Sequence, residues 1–325
     1  MKKLPIYTLT VLFLVAACRK DFIVENISKK TISVNSPANN LVTSGNSITF
    51  WWEPVDGAET YNLQVVKPNF SNLTELITDT TVTTTKINLL LLPGSYQWRI
   101  KAANAGHSTA FQTYSFKVDS SNVLTNQLVL PISPLTGYVT NLKTINFTWN
   151  SLAAATSYSL ELTMNNTVIH TSVTVNSNYQ YTFPMTSAAN YTCSWKVKAI
   201  NASSFSQYNT PQVFTIDLLP PSVSSPSLPV NNTAVRDTAQ LVWKRLGTDV
   251  KSDSLFIYTD SGLLNLARKA SVSDTKIRII AIDAGNPLPA GTSSASAIQY
   301  WWRLKSLDSL GNVSGFSNSL SFQLY

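Results

Sequence analysis

Nucleophilic catalysis by serine or cysteine calls for a histidine base held by a third group, and the chain offers two histidines, His107 and His170, 63 residues apart. Neither sits in a recognisable motif. A zinc site needs three or four Cys, His or carboxylate ligands at close spacing, and no such cluster occurs along the chain. There is no Gly-rich phosphate loop. Two acids for sugar hydrolysis can converge from distant positions, but the 17 carboxylates are spread thinly and no segment is enlarged enough to shape a cleft around a pair. The expectation is a protein that is not an enzyme, with no catalytic residue, no metal and no cofactor.

The elements that would have to position any site repeat themselves. Pro37, Phe50, Trp52, Tyr61, Leu63, Trp98, Lys101, Ala102 and Asn104 recur 97 residues later as Pro134, Phe147, Trp149, Tyr158, Leu160, Trp195, Lys198, Ala199 and Asn201. Self-similarity at a fixed offset is the signature of tandem structural units. A third, more diverged copy carries Pro229, Trp243, Tyr300, Trp302, Arg303 and Lys305. Its two tryptophans stand 59 residues apart, against 46 in the other copies, so it holds an insertion of 13, part of it in a Gly/Ser-rich loop at 291–296.

Within each copy apolar and polar residues alternate, as in Tyr61-Asn62-Leu63-Gln64-Val65 and Tyr158-Ser159-Leu160-Glu161-Leu162. Period two marks strands with one buried face, and turn signals such as Asp56-Gly57 and Pro93-Gly94 separate them. No long 3.6-residue period is present. Units of this length made only of short strands bury their apolar faces sheet against sheet.

The run Tyr96-Gln97-Trp98-Arg99-Ile100-Lys101-Ala102-Ala103-Asn104 resembles the strand F signature of fibronectin type III domains, and Trp52 and Trp149 sit where that family places its core tryptophan on strand B. The second copy departs from the signature with Cys193 in place of the tyrosine, and the third with Ser306 and Asp308 in place of the alanine and asparagine. The resemblance implies an all-β chain of three tandem antiparallel sandwiches, fibronectin type III or another immunoglobulin-like strand order. The boundaries expected are a signal peptide at 1–17, a polar tether at 18–33, sandwiches at 34–119 and 128–217 with a linker at 120–127, and a third sandwich at 218–325 entered through Pro220, Pro221 and Pro226.

The N-terminus has the order of a secretory signal, with Lys2 and Lys3, an apolar run from Leu4 to Val15, then Ala16, Ala17 and Cys18. The run falls short of the roughly 20 apolar residues of a membrane span. Val15-Ala16-Ala17-Cys18 resembles the lipobox of bacterial lipoproteins, which implies cleavage before Cys18 and lipidation of its thiol. The only other cysteine is Cys193, so no disulfide within the chain is expected. Formal net charge is +7, or +5 without Lys2 and Lys3, and basic residues cluster no further than pairs. Nucleic acid is therefore not an expected partner.

Six of the eight tryptophans occupy repeated core positions. Trp51 and Trp301 each stand beside a core tryptophan, and successive strand residues point to opposite faces, so both are expected outside the cores. They are the candidate ligand-binding residues, as platforms for a sugar or peptide. The alternative for both is a cover over a sheet edge or a domain junction. In layout the chain is similar to the SusE-type lipoproteins of Bacteroidota, which implies outer-membrane anchoring through Cys18, on the periplasmic or the surface-exposed side. The function so implied is binding or adhesion toward a glycan or a partner protein. A structural spacer or assembly subunit without a small ligand is the alternative.

Overall fold

The computed structural model describes residues 24–280 and 288–325. The chain folds as three β-sandwiches. The first contains β1 (Val34–Ser36), β2 (Leu41–Thr43), β3 (Ser47–Trp52), β4 (Thr60–Lys67), β5 (Glu75–Val82), β6 (Lys86–Leu90), β7 (Gly94–Ala103) and β8 (Gln112–Val118). The second repeats these as β9 (Pro131–Ser133), β10 (Val139–Thr140), β11 (Thr144–Trp149), β12 (Ser157–Met164), β13 (Thr167–Thr174), β14 (Asn178–Thr182), β15 (Asn190–Ile200) and β16 (Gln212–Asp217). The third comprises β17 (Ser225–Leu228), β18 (Thr233–Val235), β19 (Thr238–Lys244), β20 (Ser252–Tyr258), β21 (Leu266–Val272), β22 (Lys276–Ile280), β23 (Ile298–Leu307) and β24 (Leu320–Leu324). A 3₁₀ turn at Ser294–Ser296 lies in the longer connection before β23.

Each sandwich has a three-stranded sheet, ordered β1-β3-β6 in the first, and a five-stranded sheet, ordered β2-β8-β7-β4-β5. The second and third repeat both orders strand for strand. The fifth strand in sequence stays on the larger sheet instead of crossing to the smaller one, which is the fibronectin type III arrangement and not that of a constant-type immunoglobulin domain. The first sandwich forms one compact unit and the second and third together form another, dividing between Ser121 and Asn122.

The alternation read from the sequence is what the sheets bury. On β7 the pattern puts Tyr96, Trp98, Ile100 and Ala102 inside, and on β23 it puts Tyr300, Trp302 and Leu304 inside. All six repeated tryptophans are buried, and Phe50 meets Trp98 edge-on at 5.0 Å. Asn40, Gly137 and Asn232, at equivalent turns after a proline, have φ of 62°, 89° and 63°. Glycine and asparagine tolerate this left-handed region best. The residue before each, Asn39, Thr136 or Asn231, accepts a hydrogen bond from the last strand at Ser115, Val213 or Ser321. The four residues that begin at this proline, Pro-x-Asn-Asn in the first and third copies and Pro-Leu-Thr-Gly in the second, thus form a clasp between the first turn and the last strand.

The repeat reaches further upstream than its identities indicate. Ile27 and Ile32, within the stretch expected as a tether, are buried in the first core, and Leu124, within the expected linker, is buried in the second. The cause is the asparagine that ends the seventh strand. Asn104 Nδ2 donates to Glu25 O at 2.9 Å and Gly57 O at 2.8 Å, and Asn201 Nδ2 donates to Asn122 O and Ala154 O, both at 3.1 Å. Each lead-in segment is thereby held against its own sandwich, and an apolar residue two positions on enters the core.

Two departures from the signature are compensated. Tyr96 Oη donates to Leu92 O at 2.6 Å and Tyr300 Oη to Pro289 O at 2.7 Å, a tyrosine corner in each case. Burial, with the charge of Glu75 adding to it, pushes the Tyr96 hydroxyl up to about 12. In the second sandwich Cys193 takes that position, and Tyr191, one inward step earlier, donates to Ser187 O at 3.2 Å instead. In the third, Asp308 accepts from Leu310 N and Asn312 N as the asparagines do in their loops, but a carboxylate cannot donate. Asn312 Nδ2 supplies the missing donation, to Asp217 O at 3.0 Å.

Candidate functional site

Trp51 lies on β3 between Ser36 and Lys86, on the outer face of the smaller sheet of the first sandwich. Its neighbours Phe50 and Trp52 are wholly buried, whereas Trp51 is 45% exposed, with Lys86 Nζ 5.9 Å from the ring centroid. Trp301 lies on β23, opposite Tyr258 on β20 and Ser321 on β24, on the outer face of the larger sheet of the third sandwich. It is half-buried. The two indoles thus occupy different sheets of different sandwiches and do not form equivalent sites. Cys18 lies outside the described residues.

Around Trp301 the outer sheet face carries a pattern that recurs in every copy. Outward positions on the seventh strand hold Arg99 and Lys101, Lys196 and Lys198, and Arg303 and Lys305, and each pair interleaves with aromatic rings. Arg99 Cζ is 4.3 Å from the centroids of both Phe70 and Phe111, with Lys101 Nζ 4.9 Å from Phe111. Lys196 and Lys198 flank Tyr208 at 4.7 and 5.0 Å. Arg303 lies 3.5 Å from the Phe316 centroid and 5.0 Å from that of Tyr258, and Lys305 lies 4.4 Å from Phe316. Each such contact contributes about 0.5–2 kcal/mol according to how far it is desolvated. The basic residues were legible in the sequence as repeat markers, and their outward parity follows from the core tryptophan beside them. The rings were not, because they arrive from loops and from the neighbouring strand.

The copies differ at the position directly opposite the first cation. Gln64 faces Arg99 and accepts from its Nε at 2.7 Å, and Glu161 faces Lys196 in an ion pair of 2.8 Å. Phe256 faces Arg303, and its ring packs edge-on against Phe316 at 5.1 Å.

The third core also contains a buried carboxylate where the others have tyrosine. Tyr61 and Tyr158 accept through their hydroxyls from Val55 N and Leu152 N. Asp253, wholly buried, accepts from Ser224 Oγ at 2.6 Å, Ser306 Oγ at 2.8 Å, Trp243 Nε1 at 2.8 Å and Arg245 Nε at 2.9 Å. Four donors, one of them the Arg245 cation, satisfy the carboxylate within the protein, so it is a structural tie between the two sheets.

Among the described residues, no catalytic constellation forms around His107, His170 or Cys193. His170 Nε2 hydrogen-bonds Tyr179 Oη at 2.8 Å and its ring stacks on Tyr181 at 4.5 Å. His107 lies in a loop of the first sandwich, where its backbone N donates to Asn104 Oδ1. Cys193 is a buried free thiol, and burial pushes it up to about 11, which disfavours the reactive thiolate. Among the described residues no three His, Cys, Asp or Glu group as metal ligands, and no helix is long and apolar enough to cross a membrane. A cleft of about 480 Å³ in the first sandwich, bordered by Val42, Pro68, Gln97 and Lys117, is a shallow opening.

No family model matches the chain, and no curated protein does. Among solved structures it is similar to the chicken CNTN1 FN1-FN3 domains, at 14% identity and a TM-score of 0.37, over 90% of this chain and 97% of that one.

Proposed function

We propose that this protein is a lipid-anchored binding or adhesion module of the bacterial outer membrane, with Cys18 as the anchor and the sandwiches presenting a surface to a glycan or a partner protein. Trp51 carries this reading. The first core is already filled by Trp52 and Trp98, and the fold has no use for a third indole left 45% in water. Exposed apolar surface is unfavourable by about 25 cal/mol per Å², so a large ring kept outside the core fits a surface that another molecule covers.

The test is affinity electrophoresis of the full chain, solubilised in mild detergent, through gels containing a panel of polysaccharides. Trp51→Ala or Trp301→Ala is expected to weaken retardation about ten-fold with the melting temperature nearly unchanged. If every polysaccharide that retards the parent retards both variants equally, neither indole is a contact.

A spacer is the second reading, and one observation favours it. Asn141 Nδ2 donates to Leu310 O at 2.8 Å, and with the bond from Asn312 to Asp217 it fastens the second sandwich to the third. A spacer would co-purify with a membrane complex and bind no polysaccharide.

A further inference from the structure

We propose that the outer face of the larger sheet in the third sandwich binds an anionic polysaccharide, with Arg303, Lys305 and Lys269 contacting its acidic groups and Trp301 packing against a sugar ring. This rests on the glycan-binding reading above and narrows it to one face and one ligand chemistry.

The contrast among the three copies points there. In the first two sandwiches the strand facing the cations supplies its own polar partner, Gln64 or Glu161. In the third that position is Phe256, and among the described residues no carboxylate pairs with Arg303, Lys305 or Lys269. Lys269, exposed on β21 directly across from Phe256, places its Nζ 5.3 Å from that ring. The face therefore presents three cations with an acid replaced by a ring, and its charge is complementary to an anion.

The rings also set the cations in place. Arg303 is held between Phe316 and the hydroxyl of Tyr258, which accepts from its Nε at 3.3 Å and its Nη2 at 3.1 Å. A guanidinium has five N–H donors, so others stay available on its edge. Long basic side chains normally lose rotamer freedom on binding, and here packing has already restricted it. Arg303 and Lys305 are two residues apart on one strand, about 7 Å, and Lys269 stands two strands from Arg303, about 10 Å. Such spacing suits charges repeated along an extended polymer better than one small anion.

An acidic peptide is the less fitting occupant. Extended peptides dock by adding to a sheet edge, and although Lys269 lies on the edge strand β21, Arg303, Lys305 and Trp301 lie on β23, an interior strand paired to β20 on one side and β24 on the other. A polysaccharide needs no backbone pairing, and Trp301 beside the cation row offers it an apolar surface.

The test uses the full chain in mild detergent, titrated calorimetrically with polygalacturonate and with its fully methyl-esterified form, which keeps the sugar backbone and removes the charge. Polygalacturonate is expected to bind about ten-fold tighter than the ester, and combining Arg303→Gln, Lys305→Gln and Lys269→Gln is expected to remove that advantage. Arg99→Gln with Lys101→Gln, in the first sandwich, should leave it intact. Should the triple variant melt early, Lys305→Gln is compared with Lys305→Arg, and only the latter should retain binding. Equal binding of the ester, or a folded triple variant that binds like the parent, overturns the proposal. So does capture of polyglutamate or phosphatidylserine vesicles as strong as that of polygalacturonate and equally sensitive to the triple variant. If neutral polysaccharides bind through Trp51 or Trp301 and charge adds nothing, this inference falls while the glycan reading stands. If no polysaccharide binds, both fall.

Discussion

Replacing Asp253 with alanine is expected to destabilise the third sandwich by about 3–5 kcal/mol, the usual cost of removing one partner from a buried ion pair. The carboxylate is wholly buried, and its four donors come from the lead-in segment at Ser224, the smaller sheet at Trp243, Arg245 just past the end of β19, and the larger sheet at Ser306. Without it the Arg245 guanidinium, whose side chain is 21% exposed, loses its ion-pair partner, and the Trp243 N–H is left in the core without an acceptor. Calorimetry of the full chain should show a lowered transition for the unit from 122 to 325 and an unchanged one for the first sandwich. A loss below about 1 kcal/mol, the value of an exposed pair, would show that the network is not the tie described.

The reciprocal experiment is Trp98→Ala. The indole is wholly buried, with Phe50 against it at 5.0 Å and Tyr114 stacked on it at 5.0 Å. Truncating a core tryptophan to alanine costs about 3–5 kcal/mol, which for a domain of this size lowers the midpoint by about 4–8 °C per kcal/mol. Only the transition of the first sandwich should move. Trp98→Ala and Asp253→Ala shifting the same transition would mean that the chain melts as one cooperative body.

The strand pattern and the core tryptophans were legible in the sequence because burial of one sheet face imposes period two and the repeat marks the largest core residues twice. The lead-in segments were not, since Ile27 and Leu124 match in apolar character but not in identity, and what holds them is a hydrogen bond from an asparagine 77 residues away in sequence. Asp253 was hidden for a related reason. It stands in register with Tyr61 and Tyr158, but a polar residue among alternating apolar ones reads as an outward position until its four donors are seen. Of the candidate site, the outward direction of Trp51 and Trp301 followed from their core neighbours. The rings around Arg303 did not, because Phe316 comes from a loop and Phe256 from the adjacent strand.

One measurement tests the proposed role most directly. Membranes carrying the full chain are mixed with a labelled polysaccharide that the chain binds, washed in high salt and pelleted. The expected result is that the label pellets with the parent, stays in solution with Cys18→Ala because that variant leaves the membrane, and pellets far less with Trp51→Ala combined with Trp301→Ala although that variant itself pellets. Label that pellets equally with membranes from cells making Cys18→Ala, or that never pellets with the parent, would contradict a lipid-anchored binding module.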